Sequence, residues 1–336
     1  MRPAAKGLSA HDPGYARRSA RLLPAGAWDA GAVRSVRRLT GVALVVVLGT
    51  AAGCGGGPPG PAGTERTLTY CHVGGVSETM RLWEPSGGPG RPVPAVVDIH
   101  GGGWVLGDDR LEPGTVDWAV EQGVVDHGWV FASIDYPLAP VHRWPVQLQA
   151  ATCAVRYLRA EAASLRVDGA HVGVIGASAG GHLAAMLGLA GSDPAFDTGE
   201  HAGQSSAVQA VVDEFGPADL TSPVWAQSPA LVQLSAEEFG VGAGQRSPVL
   251  VAASPVTYVH HGAPPFLVVQ GAEDRIVPPA QSVELVDDLV AAGDSATLLM
   301  VHHAGHGLVP SGGTPTPSVD QVAQVATRFL VRTLGG

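Results

Sequence analysis

The chain has 336 residues and a formal net charge of −10, from 20 Lys plus Arg and 30 Asp plus Glu, and 45% of its residues are hydrophobic. This apolar fraction excludes a wholly disordered chain, and the acidic balance argues against sequence-independent nucleic-acid binding, which needs a basic face. Three cysteines exclude a disulfide-dense scaffold and a four-cysteine zinc site.

The N-terminal segment differs in charge from the rest of the chain. Residues 1–53 carry a net charge of +6, whereas the remainder carries −16. An apolar run over 41–53 is too short for a transmembrane helix but fits the hydrophobic region of a signal peptide. We therefore predict an export signal over 1–53. Because residues 1–32 are unusually long and proline-containing for such a signal, we expect the true start near Val33.

The apolar run ends in Ala51-Ala52-Gly53-Cys54, which resembles a bacterial lipobox, although Leu usually stands at the position of Ala51. Cys54 is then the lipidated first residue of the mature protein. A plain secretory signal with an incidental cysteine and an uncleaved anchor are the alternatives. The Gly/Pro-rich stretch 54–66 is typical of a tether. We expect an exported protein anchored to the cell membrane, with secretion as the second choice.

Strand-like and helix-like runs alternate through the predicted catalytic domain, residues 67–336. Such alternation implies a largely parallel sheet with helices on both faces. Residues 217–264 lack the alternation and are predicted to be a cap-like insertion over the carboxyl edge of the sheet, where ligands bind. The predicted strands are Leu68–His72, Thr79–Trp83, Ala95–Ile99, Val130–Ile134, Val172–Ile175, Val208–Val212, Phe266–Val269 and Thr297–Val301. The predicted helices are Thr115–Asp126, Val146–Ala160, Gly180–Leu189, Ser282–Ala292 and Val319–Leu334.

A G-x-S-x-G motif, GASAG over 176–180, lies between the predicted strand Val172–Ile175 and the helix that begins at Gly180. This context favours a nucleophilic Ser178 on a tight turn, because the small neighbours let the strand and the helix approach each other. A purely structural turn is the alternative, since such a match is common by chance in a chain with 46 glycines.

A second motif, HGGGW over 100–104, follows the predicted strand Ala95–Ile99. Three glycines let the backbone turn its N–H groups toward a developing oxyanion, which is a strongly stabilising interaction in acyl transfer. The alternatives are a loop that merely turns and a phosphate cradle. A P-loop is excluded, because no Lys-Ser/Thr pair follows the glycines.

A serine nucleophile needs a histidine base, which in turn needs an orienting acid, and in this type of sheet their order is serine, acid, histidine. We expect His306 to be the base, because its small-residue loop follows the last strand. His302 and His303 are expected at the strand end or surface, and His260 and His261 are weaker candidates for the pocket wall. His182, within the helix after Ser178, is expected to be structural.

Asp274 is the candidate acid, because it follows the predicted strand Phe266–Val269 and reaches the edge of the sheet beside the histidine loop. Glu273 is the competing choice. Asp213 and Glu214 follow an earlier strand and would serve only in a rearranged triad.

The chain resembles α/β-hydrolase esterases of the hormone-sensitive-lipase-like and feruloyl/acetylxylan-esterase-like groups over roughly residues 70–335. The resemblance implies an α/β-hydrolase fold with a mostly parallel eight-stranded sheet. It also implies Ser178 as nucleophile, Asp274 as acid and His306 as base. The segments that carry it are His100–Trp104, Ser133–Pro140, Gly176–Leu183, Val208–Leu220, Ser254–Val259 and the blocks around Asp274 and His306. The implied oxyanion donors are the backbone N–H groups of Gly102, Gly103 and Ala179.

The chain departs from these esterases at three positions. They usually have Arg where Pro137 stands, Trp where Glu214 stands and His where Gln270 stands. None of these changes removes a group of the triad, but they leave the pocket and the substrate open. We expect Trp104 to form a wall of the acyl pocket, with packing behind the loop as the alternative.

The resemblance also bears on two cysteines. Similar esterases often carry a buried, unpaired cysteine in the helix that contains Cys153. Export permits a disulfide, but we expect Cys71 and Cys153 to be two free, buried thiols.

The predicted activity is serine-dependent hydrolysis of short-chain or carbohydrate-linked carboxylic esters. It requires neither a metal nor an organic cofactor, and the expected partners are the ester substrate and the membrane through Cys54. Amide hydrolysis, formamidase-like or peptidase-like, is one rival, because the same triad serves both reactions. A catalytically silent, surface-anchored binding protein is the other rival.

Overall fold

The computed structural model describes residues 63–86, 91–227 and 229–335. The predicted export signal, Cys54 and most of the tether lie outside these residues. Across the described part of the chain, no helix combines the length and the apolar character needed to cross a membrane.

The described residues contain eight strands: β1 Gly63–Val73, β2 Val76–Pro85, β3 Val93–Ile99, β4 Val130–Ile134, β5 Val167–Ala177, β6 Ala210–Glu214, β7 Phe266–Gly271 and β8 Ala296–Val301. They form one sheet in the order β1-β2-β4-β3-β5-β6-β7-β8, which confirms the predicted eight-stranded sheet. β1 and β2 form an antiparallel hairpin and β2 is antiparallel to β4, whereas all other neighbouring strands are parallel. The central strands are nearly continuous apolar runs, as strands covered on both faces must be.

The helices that cover the sheet are α1 Val116–Asp126, α2 Val146–Ala160, α3 Ala162–Leu165, α4 Ala179–Ala190, α5 Pro229–Phe239, α6 Pro248–Ala252, α7 Pro279–Ala291 and α8 Val319–Leu334. Helix α1 packs against α8, and α2 packs against α4. Two helix starts have clear chemical causes: Thr115 caps α1, and Ser318 forms a capping box with Gln321 at the start of α8.

The segment between β6 and β7 contains α5, α6 and two short 3₁₀ helices, Trp225–Gln227 and Pro255–Tyr258. These four elements all lie within the predicted insertion over 217–264. Trp225 and Leu231 are buried and lie against the cavity at the carboxyl edge of the sheet. The segment therefore supplies one wall of that cavity.

Cys71 and Cys153 form a disulfide, so the expectation of two free thiols was wrong. The cause is local: the β1–β2 register shifts between Thr69 and Cys71, and β1 packs against α2, which contains Cys153. The two Cα atoms are 6.4 Å apart, a distance that a disulfide spans. Because the bond links residues 82 positions apart, it restricts the unfolded chain and stabilises the fold by about 4.5 kcal/mol in the loop-entropy treatment.

Glu238 of α5 is a buried acid that forms no salt bridge with the described residues. It has 0% of its surface exposed, and neither carboxylate oxygen has a hydrogen-bond partner among the described residues. Burial raises the pKa of Glu238 to about 9, from an ordinary value of 4.5, and the charge of Arg143 partly opposes the rise. The folded protein therefore holds a proton on Glu238 that the unfolded chain releases at neutral pH.

We expect Glu238→Gln to stabilise the protein at alkaline pH. The wild type loses stability as pH rises from about 4.5 to about 9, because folding must retain a proton over that window. The amide does not titrate, so urea unfolding should show the variant more stable by several kcal/mol at pH 9, since one unit of pKa is about 1.4 kcal/mol. The difference should shrink toward pH 4.5. Glu237→Gln, one residue away and partly exposed, is the control. A stability difference that does not change with pH would refute this origin.

Candidate active site

Ser178 occupies the turn between β5 and α4 with φ 56° and ψ −113°, a strained conformation for a residue with a side chain. Glycine is required on both sides. A Cβ at Gly180 would overlap the carbonyl oxygen of Ile99, and one at Gly176 would overlap the backbone of Gly180. The backbone N–H of Ser178 donates to the carbonyl oxygen of Glu214 at 2.8 Å, which ties the turn to β6. The turn therefore holds the hydroxyl above the edge of the sheet.

The structure brings together Ser178, His306 and Asp274. His306 Nε2 lies 2.9 Å from Ser178 Oγ, and His306 Nδ1 lies 2.8 Å from Asp274 Oδ2. With Nδ1–H donating to the carboxylate, Nε2 has a free lone pair that accepts the hydrogen bond of the serine hydroxyl. This is the relay that a serine nucleophile needs, and its three members are 32 and 128 residues apart along the chain.

Asp274 is held in place by its own loop. Its Oδ1 accepts the backbone N–H groups of Ile276 at 2.8 Å and Val277 at 3.0 Å, and its residue surface is 5% exposed. Oδ2, which faces His306, also receives Gln270 Nε2 at 3.3 Å. Four donors, including His306 Nδ1, thus bind the two oxygens and fix the orientation of the carboxylate toward the imidazole.

Gln270 was noted in the sequence only as a departure, and its role in the site was missed. It is fully buried at the end of β7. Its amide nitrogen donates to Asp274 and to the carbonyl oxygens of Gly271 and Val277, while its oxygen accepts the Ser282 hydroxyl at 2.7 Å. Gln270 therefore braces the loop that carries the acid.

The other candidate histidines do not reach Ser178. His302 and His303 are exposed at the end of β8, and His260 and His261 are exposed away from the cavity beside Ser178. His182 is fully buried and its Nε2 donates to the carbonyl oxygen of Ala253 at 2.7 Å. Burial lowers the pKa of His182 to about 4, which keeps it neutral. His182 is thus part of the packing, as we expected.

The competing acids also have other partners. Glu273 Oε2 accepts the backbone N–H of Ala304 at 2.8 Å, which fixes the loop before His306 without contacting the imidazole. Asp213 is buried and its Oδ1 accepts the N–H of Gly216 at 2.8 Å. Both acids shape the backbone near the site and leave Asp274 as the carboxylate on the histidine.

The glycine-rich loop after β3 lies beside Ser178. Gly102 and Gly103 have φ of 106° and 62° and line the same cavity as Ser178 and Ala179. Ala179 is the first residue of α4, so its N–H has no partner within the helix. His100 stacks on Tyr136 with ring centroids 4.1 Å apart, and the Tyr136 hydroxyl donates to the His100 carbonyl oxygen at 3.1 Å. These contacts hold the loop against the sheet.

Trp104 both lines the cavity and packs into the core. Its φ is 63° and only 1% of its surface is exposed. The indole makes edge contacts with His182 and Phe239, at centroid distances of 5.3 and 5.2 Å. The wall position and the packing role that we weighed as alternatives are thus combined in one residue.

The cavity beside Ser178 has a volume of about 420 Å³. Most of its lining is apolar, with Trp225, Leu231 and Leu234 on the side of the insertion. Phe215 packs against His306 in a T-shaped arrangement, with ring centroids 5.0 Å apart. The lining also contains two acids, Asp117 and Glu214, the latter at one of the positions where the sequence departs from similar esterases.

One cluster of metal-type side chains occurs in the described part of the chain, formed by Cys71, Glu200 and His201. The sulfur of Cys71 is bonded to Cys153 in the disulfide, which leaves two possible ligands. These residues lie outside the lining of the cavity beside Ser178. The cluster therefore offers no complete metal site.

The chain is similar to one protein family and to several known esterases. The profile of the BD-FAE family matches residues 80–289. Esterase LipC of Mycobacterium tuberculosis is 32% identical over 274 residues, which cover 79% of this chain and 67% of LipC. Esterase LipQ of the same organism is 31% identical over 236 residues, covering 69% of this chain and 55% of LipQ. The chain thus spans about half to two thirds of the length of these curated relatives.

Solved structures resemble the chain in fold. A truncated carbohydrate esterase from gut microbiota superposes with a TM-score of 0.67 at 24% identity, covering 82% of this chain and all of that one. The esterase Est2 of Thermogutta terrifontis gives a TM-score of 0.63 at 23% identity, covering 82% of this chain and 94% of Est2.

Proposed function

Since the chain belongs to the BD-FAE family and has the α/β-hydrolase fold predicted from its sequence, we propose that it hydrolyses carboxylic esters through an acyl-enzyme on Ser178. Carboxylic ester hydrolysis is the activity that its esterase relatives support. The observation that carries the mechanism is the pair of hydrogen bonds from Asp274 through His306 to Ser178, at 2.8 and 2.9 Å.

The proposed reaction begins when Ser178 Oγ attacks the ester carbonyl carbon and His306 Nε2 takes the hydroxyl proton. Asp274 holds the Nδ1–H tautomer and stabilises the imidazolium that forms. The carbonyl oxygen becomes an oxyanion, for which the backbone N–H groups of Gly102, Gly103 and Ala179 are the proposed donors. His306 then gives the proton to the leaving alcohol, and water repeats the sequence to release the acid.

The proposed substrates are esters with short acyl chains or esters of carbohydrates. The cavity volume of about 420 Å³ supports small groups, because it lies at the lower end of the range for ligand pockets. The similarity in fold to a carbohydrate esterase from gut microbiota supports a sugar as the alcohol.

A substrate panel tests this function. We expect p-nitrophenyl acetate and butyrate to be hydrolysed at least ~10-fold faster, by kcat/KM, than the octanoate, because the cavity is small. Acetylated and feruloylated sugars then identify the alcohol. The matching anilides and N-formyl amides should react at least ~100-fold more slowly, because an amide needs stronger activation of its leaving group.

Two outcomes would contradict the proposal. Faster cleavage of amides than of esters would favour a formamidase-like or peptidase-like activity. Turnover of neither class, together with no labelling by a fluorophosphonate, would favour a silent binding protein.

We also propose that the protein is exported and anchored through Cys54. The Cys71–Cys153 disulfide supports export, because such bonds persist in oxidising compartments. The charge of +6 on residues 1–53 and −16 on the remainder supports a cleaved signal. Fractionation of cells that express the full chain tests the anchor: the wild type should be in the membrane fraction and Cys54→Ser should not. Equal distribution of both proteins would refute it.

A further inference from the structure

Two acids line the cavity beside Ser178 and have no part in the proposed reaction. Glu214 ends β6 with 1% of its surface exposed, and its Oε1 has no hydrogen-bond partner among the described residues. Asp117 belongs to the first turn of α1, and its buried Oδ1 is also without a partner in that part of the chain. An acid in a first helical turn is stabilised by the helix dipole. Glu214 lies at the end of a strand and lacks this stabilisation.

A third acid lies behind these two. Asp98 of β3 is 1% exposed, and its Oδ2 accepts the Ser133 hydroxyl at 2.7 Å, while Oδ1 has no partner among the described residues. The described lining of the cavity includes neither Lys nor Arg. Asp98, Asp117 and Glu214 are therefore three neighbouring acids, each with one carboxyl oxygen that has no partner among the described residues, and the described cavity lining supplies no cation.

The electrostatics of this group agree with a missing positive charge. Burial raises the pKa of Glu214 well above its ordinary range, and the charges of Asp117, Asp98 and Asp213 raise it further. Burial also raises the pKa of Asp117 to about 7. At neutral pH the group therefore holds protons for lack of a counter-ion, and a cation in the cavity would favour release of a proton and formation of a carboxylate.

We propose that Glu214 and Asp117 form a subsite for a protonated amine in the acyl or alcohol part of the ester. This inference rests on the proposed ester hydrolysis at Ser178 and names a substrate class for it. An ammonium group offers three N–H donors and the missing charge. A hydroxyl offers one donor without charge, and an alkyl group leaves the oxygens unsatisfied. The apolar wall of Trp225, Leu231 and Leu234 suits the carbon chain between the ester and the amine.

The test uses esters that differ in one terminal group. The alcohol series is 5-aminopentyl, 5-hydroxypentyl and hexyl acetate, and the acyl series is ethyl 6-aminohexanoate, 6-hydroxyhexanoate and heptanoate. In each series an ammonium, a hydroxyl and a methyl group occupy the same position. The readout is the ratio of kcat/KM for the amino ester to that for the methyl ester, taken within each protein so that general losses of activity cancel.

The variants are Glu214→Gln and Asp117→Asn, which remove the charge and keep the shape. Glu112→Gln is the matched control, because Glu112 is exposed on the loop before α1 and outside the cavity lining. In at least one series we expect the amino-to-methyl ratio to fall by about 10-fold or more in Glu214→Gln. We expect a smaller fall in Asp117→Asn and a change of less than about 2-fold in Glu112→Gln.

Several results would overturn the proposal. One is an unchanged ratio in Glu214→Gln and Asp117→Asn in both series. Another is a wild-type preference for the hydroxy ester over the amino ester, which would make the site a hydroxyl subsite. If Glu214→Gln does not fold, inhibition of the wild type by n-pentylammonium decides, and inhibition no stronger than that by 1-pentanol overturns the proposal.

A failure of the proposed ester hydrolysis can be distinguished from a failure of the amine subsite. It appears as absence of turnover of the methyl-terminated esters and of p-nitrophenyl acetate by the wild type. In that event calorimetry, which measures the affinity of the wild type and of Glu214→Gln for n-pentylammonium, tests whether the subsite exists. Equal affinity of the two proteins overturns it.

Discussion

Replacing Ser178 by alanine is expected to lower kcat for p-nitrophenyl acetate by at least about 10⁴-fold, and by up to about 10⁶-fold. The reason is that His306 Nε2, 2.9 Å from Ser178 Oγ, then has no hydroxyl to activate and an acyl-enzyme has no place to form. Steady-state kinetics with freshly purified variant measures the loss. Residual turnover would come from the oxyanion donors and binding alone.

The control for this variant is Ser164→Ala, which removes an exposed hydroxyl that hydrogen-bonds to Glu161. It should leave kcat within about 2-fold of the wild type. Thermal unfolding of Ser178→Ala should stay close to that of the wild type, because the backbone turn is fixed by Gly176 and Gly180. Turnover by Ser178→Ala at more than a tenth of the wild-type rate would eliminate Ser178 as the nucleophile.

The second large effect is expected for Asp274→Asn, with a loss of about 10⁴-fold in kcat. An asparagine amide keeps the shape of the carboxyl group but favours the wrong histidine tautomer, in which Nε2 carries the hydrogen and cannot accept the Ser178 proton. It also removes the negative charge that stabilises the imidazolium. The same p-nitrophenyl ester assay measures the loss.

Glu273→Gln is the matched control for Asp274→Asn, since it makes the same change one residue earlier. Glu273 contacts the N–H of Ala304 and does not contact the imidazole, so we expect a loss of less than about 10-fold. A greater loss in Glu273→Gln than in Asp274→Asn would reverse the assignment of the acid.

The fold was predictable because its central strands are apolar runs bounded by turns. The predicted Ala95–Ile99 lies within β3 Val93–Ile99, and the predicted Val130–Ile134 coincides with β4. Errors occurred where polar residues are buried. The strand predicted at Val208–Val212 is β6 Ala210–Glu214, because hydropathy gives no sign that Asp213 and Glu214 continue a strand.

A proline also led to a wrong prediction of where a helix begins. The helix predicted at Ser282–Ala292 is α7 Pro279–Ala291, one turn longer at its start. A proline in the first turn is compatible with a helix, since the N–H it lacks would have no partner there. Pattern alone did not separate this proline from the loop before it.

The candidate site was predictable where function dictates local sequence. Gly176 and Gly180 around Ser178 follow from the close approach of strand, turn and helix, and this leaves a readable motif. Residues that act through distant contacts leave none. Cys71 meets Cys153 through a register shift, and Glu214 shares a cavity wall with Asp117, 97 positions earlier in the chain. Such pairs require the tertiary structure.

Active-site labelling tests directly whether Ser178 is the residue that becomes covalently bound during the reaction. The folded protein is treated with a fluorophosphonate, digested and mapped by mass spectrometry. We predict one phosphonyl adduct per chain, on the peptide that contains Ser178. The adduct should be lost in Ser178→Ala, in His306→Ala and after prior heat denaturation. An adduct on another serine, or an unlabelled wild type that still hydrolyses p-nitrophenyl acetate, would contradict the claim.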